Sequence, residues 1–207
     1  MGLLRVAWLV LILCACAPRT DAPAATPGSF EPTPAVVEDL ALPDGTPVRS
    51  WGDGPYGVVL VGDGWDPLAA ELALHGMRLV AVAPDALEPA ITWLHDEGIE
   101  RVAVMAVGGP GVQAAFELGT DAPELVDQLI TISARGDVAR LGEFPKLFVA
   151  SEGEGAAAQA TDMADQAAGE WNAALLVPGD ASELAILEGD GADELRSGIL
   201  RRLEERR

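Results

Sequence analysis

A glycine-rich corner is the stretch of this 207-residue sequence whose residue types and spacing come nearest to a chemical motif. Residues 101–119 read RVAVMAVGGPGVQAAFELG, an apolar run followed by a tight turn and a helical pattern. A strand, a sharp turn and a helix in this order are the setting of the G-x-S-x-G motif, whose serine attacks acyl carbonyls. Gly108 stands at the serine position. Because glycine has no side chain that can attack a carbonyl, the corner predicts a site without its nucleophile.

Strand and helix patterns alternate on both sides of this corner. Apolar, β-branched runs predict strands at residues 57–61, 78–83, 101–106, 128–133, 146–150 and 173–177. Helices are predicted at residues 67–76, 88–97, 112–118, 156–168 and 192–206. An Asp44-Gly45 turn predicts a hairpin before them. The sequence therefore predicts an α/β fold with three α/β/α layers, a mostly parallel sheet of about eight strands and an N-terminal antiparallel hairpin.

Ligands of such sheets bind at the carboxyl ends of the strands, so we expect a small-molecule or protein ligand there. These ends correspond to residues 62–66, 84–85, 107–111, 133–137, 151–155 and 178–182. Two of them carry Ser133 and Ser151, beside acidic Asp137, Glu152 and Glu154. A relocated serine nucleophile is thus an open alternative, although neither serine has a histidine or lysine base close in sequence.

Carboxylates at the strand ends raise the question of a metal. Asp63, Asp66 and Asp85 follow predicted strands, and residues 188–194 read EGDGADE. Their spacing fits no EF-hand loop, so we interpret them as solvated turn and capping residues and predict no metal and no cofactor. Calcium binding stays an alternative. In the loop at residues 62–66, Trp65 is placed where it could stack on a ligand.

The ordered set of motifs resembles the α/β-hydrolase family from residue 40 to the carboxyl terminus. The motifs are the hairpin LPDG, the strand VVLV with its glycine loop, the corner AVGGPG, the strand FVASEGEG and the late stretch LLVPGDASE. Only residues 134–145 separate the sixth predicted strand from the seventh. This leaves no room for an inserted cap, so the chain is most similar to small exported members without a lid.

The resemblance implies a degenerate catalytic triad. The family's nucleophile position maps to Gly108, its acid to Glu152 or Glu154, with Glu154 preferred, and its histidine to Ser182 within the loop at residues 179–183. The sequence has two histidines, His75 and His95, and both fall in the first two predicted helices rather than in that late loop. Two triad members are therefore absent, and the resemblance implies a protein without hydrolase activity.

The resemblance extends to the backbone groups that bind an oxyanion in the family. Backbone N–H groups of Gly109 and of Gly62, Asp63 and Gly64 match the family's oxyanion donors, and the helix after the corner presents its amino end to the same place. These four residues are our candidate ligand-binding or anion-binding positions. The alternative is that Gly108 and Gly109 only form a tight turn.

Charge excludes some classes of partner. The formal net charge is −20, from 13 basic and 33 acidic residues spread along the chain. Nucleic acids and anionic membrane surfaces both require a basic face. We therefore predict no nucleic-acid partner.

The first residues predict export. Arg5 and the apolar run at residues 6–13 are typical of a signal peptide at residues 1–15, and LCAC at residues 13–16 resembles the lipobox of bacterial lipoproteins. Cys16 would then carry the lipid, residues 16–37 would form a Pro/Ala-rich tether, and residues 38–207 the folded domain. We expect a lipid-anchored protein on the extracytoplasmic face of the cell envelope. An ordinary secretory signal and a secreted protein are the alternative.

Three functional hypotheses follow from the sequence. The first is a lipid-anchored α/β-hydrolase-like domain that lacks hydrolase activity and acts as a ligand-binding or interaction module. The second is an esterase-like carboxylic-ester hydrolase with a non-standard nucleophile or metal. The third is a calcium-dependent envelope protein.

Overall fold

The computed structural model of this chain describes residues 37–205. Eight strands are present there: β1 Val37–Ala41, β2 Pro47–Trp51, β3 Tyr56–Val61, β4 Met77–Val82, β5 Arg101–Val107, β6 Gln128–Ile132, β7 Lys146–Ser151 and β8 Ala173–Val177. The α-helices are α1 Asp66–Leu74, α2 Leu87–Asp96, α3 Gly108–Asp121, α4 Ala157–Gln166 and α5 Ala192–Glu204. Short 3-10 helices cover Pro84–Ala86, Pro123–Leu125 and Glu183–Glu188.

The eight strands form one sheet in the order β1-β2-β4-β3-β5-β6-β7-β8. The pairs β1–β2 and β2–β4 are antiparallel, and every pair from β4–β3 to β7–β8 is parallel. This confirms the predicted mostly parallel sheet and the N-terminal hairpin. The carboxyl ends of the parallel strands consequently share one edge of the sheet, where ligands of such folds bind.

Two apolar cores cover the two faces of the sheet. The strand β3 is buried along its whole length, and its side chains alternate between the cores, with Val59 and Val61 in one and Val58 and Leu60 in the other. The first core is closed by α2, α3 and α4, and the second by α1 and α5. Strands buried on both faces explain why their sequences are continuous apolar runs.

The helix α3 approaches the centre of the sheet very closely. A Cβ atom added to Gly111 would lie 3.1 Å from the carbonyl oxygen of Val61, at the end of β3. A larger residue would push the helix outward, so Gly111 fixes the amino end of α3 against the sheet. This contact positions the glycine-rich corner at the carboxyl edge of β5.

The signal peptide, Cys16 and nearly all of the tether predicted from the sequence lie outside the described residues. No helix within residues 37–205 has both the length and the apolar character needed to cross a bilayer.

Candidate functional site

The corner between β5 and α3 has a left-handed residue at its apex. Gly108 has a φ of +69°, and the helix begins at this residue directly after Val107. Left-handed backbone is costly for residues with a Cβ atom and free for glycine. A Cβ atom added here would nevertheless lie in ordinary contact, 3.5 Å from Oε1 of Glu183. There is therefore room for a Cβ atom at residue 108.

Glu183 is the side chain that faces this apex. It follows β8 and opens the 3-10 helix Glu183–Glu188, and its own φ of +53° is left-handed. Ser182, the residue nearest to the expected histidine position, lines the same cavity one place earlier. The titratable group that faces Gly108 is thus the carboxylate of Glu183.

Ser133 connects three of the strand ends through hydrogen bonds. Its Oγ donates to Oε2 of Glu154 at 2.8 Å and accepts the backbone N–H of Glu183 at 2.7 Å. Its φ of +55° is also left-handed, which directs the chain sharply after β6. The ends of β6, β7 and β8 are therefore tied together at one point beside the corner.

These groups line a cavity of about 440 Å³ at the carboxyl edge of the sheet. Its lining is polar and acidic, with the carboxylates of Glu154, Asp180 and Glu183 and the guanidinium of Arg135. The remaining lining residues are Gly108, Gly109, Val112, Ser133, Gly153, Gly155 and Ser182. A cavity of this size is typical of small-molecule sites.

Part of the predicted anion site lies elsewhere. Gly109 lines the cavity at the corner, whereas Gly62, Asp63 and Gly64 line a neighbouring cavity of about 360 Å³. Gly64 also contacts the residue after Glu183, since an added Cβ atom would lie 3.1 Å from Cδ1 of Leu184. The structure therefore brings Gly108, Gly109, Glu154 and Ser182 together around one cavity. The glycine loop at residues 62–64 lines the other cavity.

Trp65 is a packing residue in this structure. It is 1% exposed, and its indole N–H donates to the carbonyl oxygen of Val61 at 3.3 Å. The stacking role considered from the sequence would require an accessible ring. Ser151 is likewise buried, 1% exposed, and lies outside the lining of the cavity at the corner.

Both histidines lie away from the corner. Nδ1 of His75 is 3.5 Å from Oε1 of Glu204 at the end of α5, and Nδ1 of His95 is 2.8 Å from the carbonyl oxygen of Ile99. Neither residue lines the cavity. The positions predicted for them, at the end of α1 and within α2, are those observed.

The acidic clusters do not assemble a metal site. Within residues 37–205, no three or more His, Cys, Asp or Glu side chains converge so that they could hold a metal ion. Asp66 instead lies 2.6 Å from Nη2 of Arg49 in an ion pair. The calcium hypothesis thus gains no support from the arrangement of these side chains.

Arg135 is a site residue that the sequence reasoning did not single out. It follows Ser133 by two positions, and its Nη2 lies 3.1 Å from where a Cβ atom on Gly155 would be. The available signal was an arginine three residues beyond the end of β6, because that loop belongs to the carboxyl edge of the sheet.

Comparison with known proteins gives structural relatives only. No family model matches the sequence. No curated protein matches it either.

Three solved structures similar to this chain each have a TM-score of 0.66. One is a serine hydrolase involved in carbazole degradation, at 12% identity over 83% of this chain and 100% of that one. Another is the thermostable carboxylesterase EstE1 from a metagenomic library, at 14% identity over 85% of this chain and 90% of that one. A third is an esterase from the archaeon Pyrobaculum calidifontis, at 15% identity over 82% of this chain and 83% of that one. The strand order, the elbow-like corner and these relatives agree, and the chain has the α/β-hydrolase fold.

Proposed function

We propose that this protein is a non-hydrolytic member of the α/β-hydrolase fold that binds a ligand in the cavity beside Gly108. The observation that carries the proposal is the apex of the corner. Gly108 keeps the left-handed backbone of a nucleophile position and has room for a Cβ atom in ordinary contact with Glu183, yet it has no atom that can attack a carbonyl. The sheet and the strand-end cavity remain, so binding is the activity that this arrangement supports.

The cavity has features that suit a small polar ligand. Three acidic residues and one arginine line it, and α3 begins at its edge with Gly108 and Gly109. Acidic groups outnumber the single arginine there, which favours a ligand with hydrogen-bond donors or a positive charge. A protein ligand that inserts such a group is compatible with the same chemistry.

A cavity-filling variant tests this proposal. In Gly109→Phe, a large ring would be attached beside the cavity at a position where an added Cβ atom meets nothing within 4 Å. Fragments that bind the wild-type chain in ligand-observed NMR should lose binding to G109F. The matched control is Gln113→Phe, an exposed position one turn later that does not line the cavity. Equal fragment binding by the wild type and G109F would contradict the proposed site.

The hydrogen bond from Ser133 to Glu154 supports a second candidate function, that of an esterase. The Ser133 hydroxyl donates to Glu154, which would accept its proton, and the left-handed backbone at Ser133 holds it against the cavity. Attack on an ester by Ser133 Oγ would pass the hydroxyl proton to Glu154 and form an acyl-serine. Glu154 would return that proton to the departing alkoxide as the ester C–O bond breaks, and water would then hydrolyse the acyl-serine to the free acid. A carboxylate is a weak base toward a serine, whose hydroxyl is far less acidic, so we place this function second.

We also propose that the chain is exported and anchored by a lipid on Cys16. The support is the signal-like segment and the LCAC sequence at residues 13–16. In a bacterial host, Cys16→Ala should move the protein from the membrane fraction to the soluble fraction, and Cys14→Ala is the matched control. Retention of C16A in the membrane fraction would contradict lipidation at this residue.

A further inference from the structure

An exposed tryptophan stands at the edge of the sheet opposite the cavity. Of the described part of the chain, three large apolar side chains are exposed, and Trp171, at 65%, is the most exposed of them. It lies between α4 and β8, beside the amino ends of the parallel strands. Tryptophan is enriched among the residues that dominate protein interfaces, because its large ring contributes contact area at little conformational cost.

The segment that carries Trp171 is fixed by buried cationic and amide groups. Lys146, which is fully buried, donates from Nζ to the carbonyl oxygens of Gly142, Phe144 and Ala168 at 2.6, 2.7 and 2.7 Å. Nδ2 of Asn172 donates to the carbonyl oxygens of Ala167, Ala168 and Gly169 at 2.8, 3.2 and 3.1 Å. The carbonyl groups that follow α4 are thereby satisfied, and the segment is held in one conformation.

The backbone of Trp171 is itself held in a costly state. Its φ is +69°, a value that bulky residues rarely adopt. Its carbonyl oxygen accepts a hydrogen bond from Nη2 of Arg202, and the same Nη2 donates to the carbonyl oxygen of Lys146 at 3.2 Å. Arg202 is 9% exposed, so its charge is directed into the protein. Strain of this kind is retained where the surroundings enforce it, and it concentrates at functional positions.

Gly169 shows that the segment fits closely against its neighbour. A Cβ atom there would overlap the carbonyl oxygen of Glu143, and the φ of +89° is left-handed as well. The tryptophan is therefore displayed on a rigid support, which lowers the entropic cost of binding a partner.

Three glutamates belong to the segments that adjoin Trp171. Glu170 precedes Trp171, the backbone of Glu143 packs against Gly169, and Glu205 lies 3.8 Å from Nη1 of the arginine that holds the Trp171 carbonyl. All three glutamates are exposed. We propose that Trp171 is the anchor of a docking surface for a basic segment of a protein partner, whose arginine or lysine side chains stack on the indole and pair with these carboxylates.

The negative charge of the protein favours a basic protein segment over a lipid surface as the partner of Trp171. Exposed tryptophans also enter membrane interfaces, but the acidic neighbours and the net charge of −20 repel anionic headgroups. A cationic guanidinium or ammonium, in contrast, is attracted by both the ring face and the glutamates. A basic protein segment is therefore the occupant that fits.

The test uses the full chain and an arginine-rich peptide, with a glutamate-substituted peptide as the negative probe. The key variant is Trp171→Gly, because glycine adopts the left-handed backbone without strain. Leu74→Ala, which trims an apolar side chain that is 47% exposed on α1, is the matched control. We expect W171G to bind the arginine-rich peptide about tenfold more weakly and L74A to bind like the wild type. Glu170→Gln should weaken binding by a smaller factor that shrinks with added salt.

Two results would overturn the proposal. Equal affinity of the wild type and W171G for the peptide would show that binding follows overall charge rather than this surface. Binding of the wild type to zwitterionic phosphatidylcholine vesicles, lost in W171G, would assign the tryptophan to a membrane interface instead. Thermal unfolding of W171G at or above the wild-type temperature is the accompanying check that the variant is folded.

Discussion

Gly108 and Glu183 face each other across the strand-end cavity, with 3.5 Å between a Cβ atom added to the glycine and Oε1 of the glutamate. The corner after β5 and the loop after β8 thus meet as they must in a site where a base acts on a nucleophile. Here the first position has no side chain, and the second has a carboxylate. The fold therefore keeps the two facing positions of such a site while the nucleophile's side chain is absent from one of them.

Installing both missing groups should create weak esterase activity. In Gly108→Ser with Glu183→His, the serine has room, and histidine tolerates the left-handed backbone at residue 183 better than most residues. We expect turnover of p-nitrophenyl acetate about 100-fold above that of Gly108→Ser alone, the usual contribution of a positioned base.

The control for this pair moves the histidine by one residue. Gly108→Ser with Ser182→His should stay close to the single variant, because Glu183 rather than Ser182 faces the corner. Equal activity of the two double variants, or none in a folded Gly108→Ser/Glu183→His chain, would contradict the geometry assigned here.

The hydrogen bonds of Ser133 should contribute to stability. Ser133→Ala removes the donor to Glu154 and the acceptor for the Glu183 N–H. Because the site is partly open to water, we expect a loss of about 1 kcal/mol in the free energy of unfolding, measured with urea. Ser182→Ala, at an exposed position in the same cavity, should change it by less than about 0.5 kcal/mol. Identical unfolding curves for S133A and the wild type would contradict a structural role for these bonds.

The buried lysine should make stability depend on pH in the alkaline range. Burial lowers the pKa of Lys146 to about 8 from 10.5, while the nearby Glu143 carboxylate acts in the opposite direction. Between these two values the unfolded chain keeps a proton that the native protein has released. The contribution of this group to the free energy of unfolding therefore rises with pH over that window and is smallest below pH 8.

Comparison with Lys146→Met isolates this effect. The free energy of unfolding of the wild type minus that of K146M should increase between neutral pH and about pH 10. A difference that falls over this range would mean that the three carbonyl acceptors stabilise the ammonium form more than burial destabilises it.

Alanine substitutions at two left-handed glycines should distinguish the stability cost of backbone strain from that of steric overlap. Gly45 and Gly169 have φ values of +88° and +89°, but an added Cβ atom meets nothing within 4 Å at Gly45 and overlaps the Glu143 carbonyl at Gly169. Gly45→Ala should cost about 1–2 kcal/mol through strain alone. Gly169→Ala should cost clearly more, as measured by chemical denaturation. Equal losses would show that the segment after α4 moves away freely, which would also weaken the rigid support assigned to Trp171.

The fold was readable from the sequence because its signals are local. Buried β-branched runs mark the strands, and glycine or proline marks most of their ends, so all eight strands were predicted within a few residues. The start of α3 was placed four residues late, at residue 112 rather than 108. Glycines and a proline have poor helix propensity, and here the close packing of Gly111 on Val61 outweighs it.

The site was less readable because it depends on backbone turns that side-chain patterns do not encode. The left-handed conformations of Ser133 and Glu183 bring their groups into the cavity, and neither residue type signals such a turn. A one-residue difference between Ser182 and Glu183 therefore escapes motif alignment. Gly108 and Gly109 were found because they follow β5, and Glu154 because the family resemblance places its acid in the loop after β7.

The central claim, that the chain binds but does not hydrolyse, is tested most directly by a fluorophosphonate probe. The wild-type full chain would be incubated with the probe and with p-nitrophenyl esters, with Ser133→Ala beside it, and labelled residues identified by mass spectrometry. The account predicts neither labelling nor turnover in folded protein. Labelling of Ser133 together with ester turnover, both abolished in S133A, would contradict it and establish Ser133 as a nucleophile.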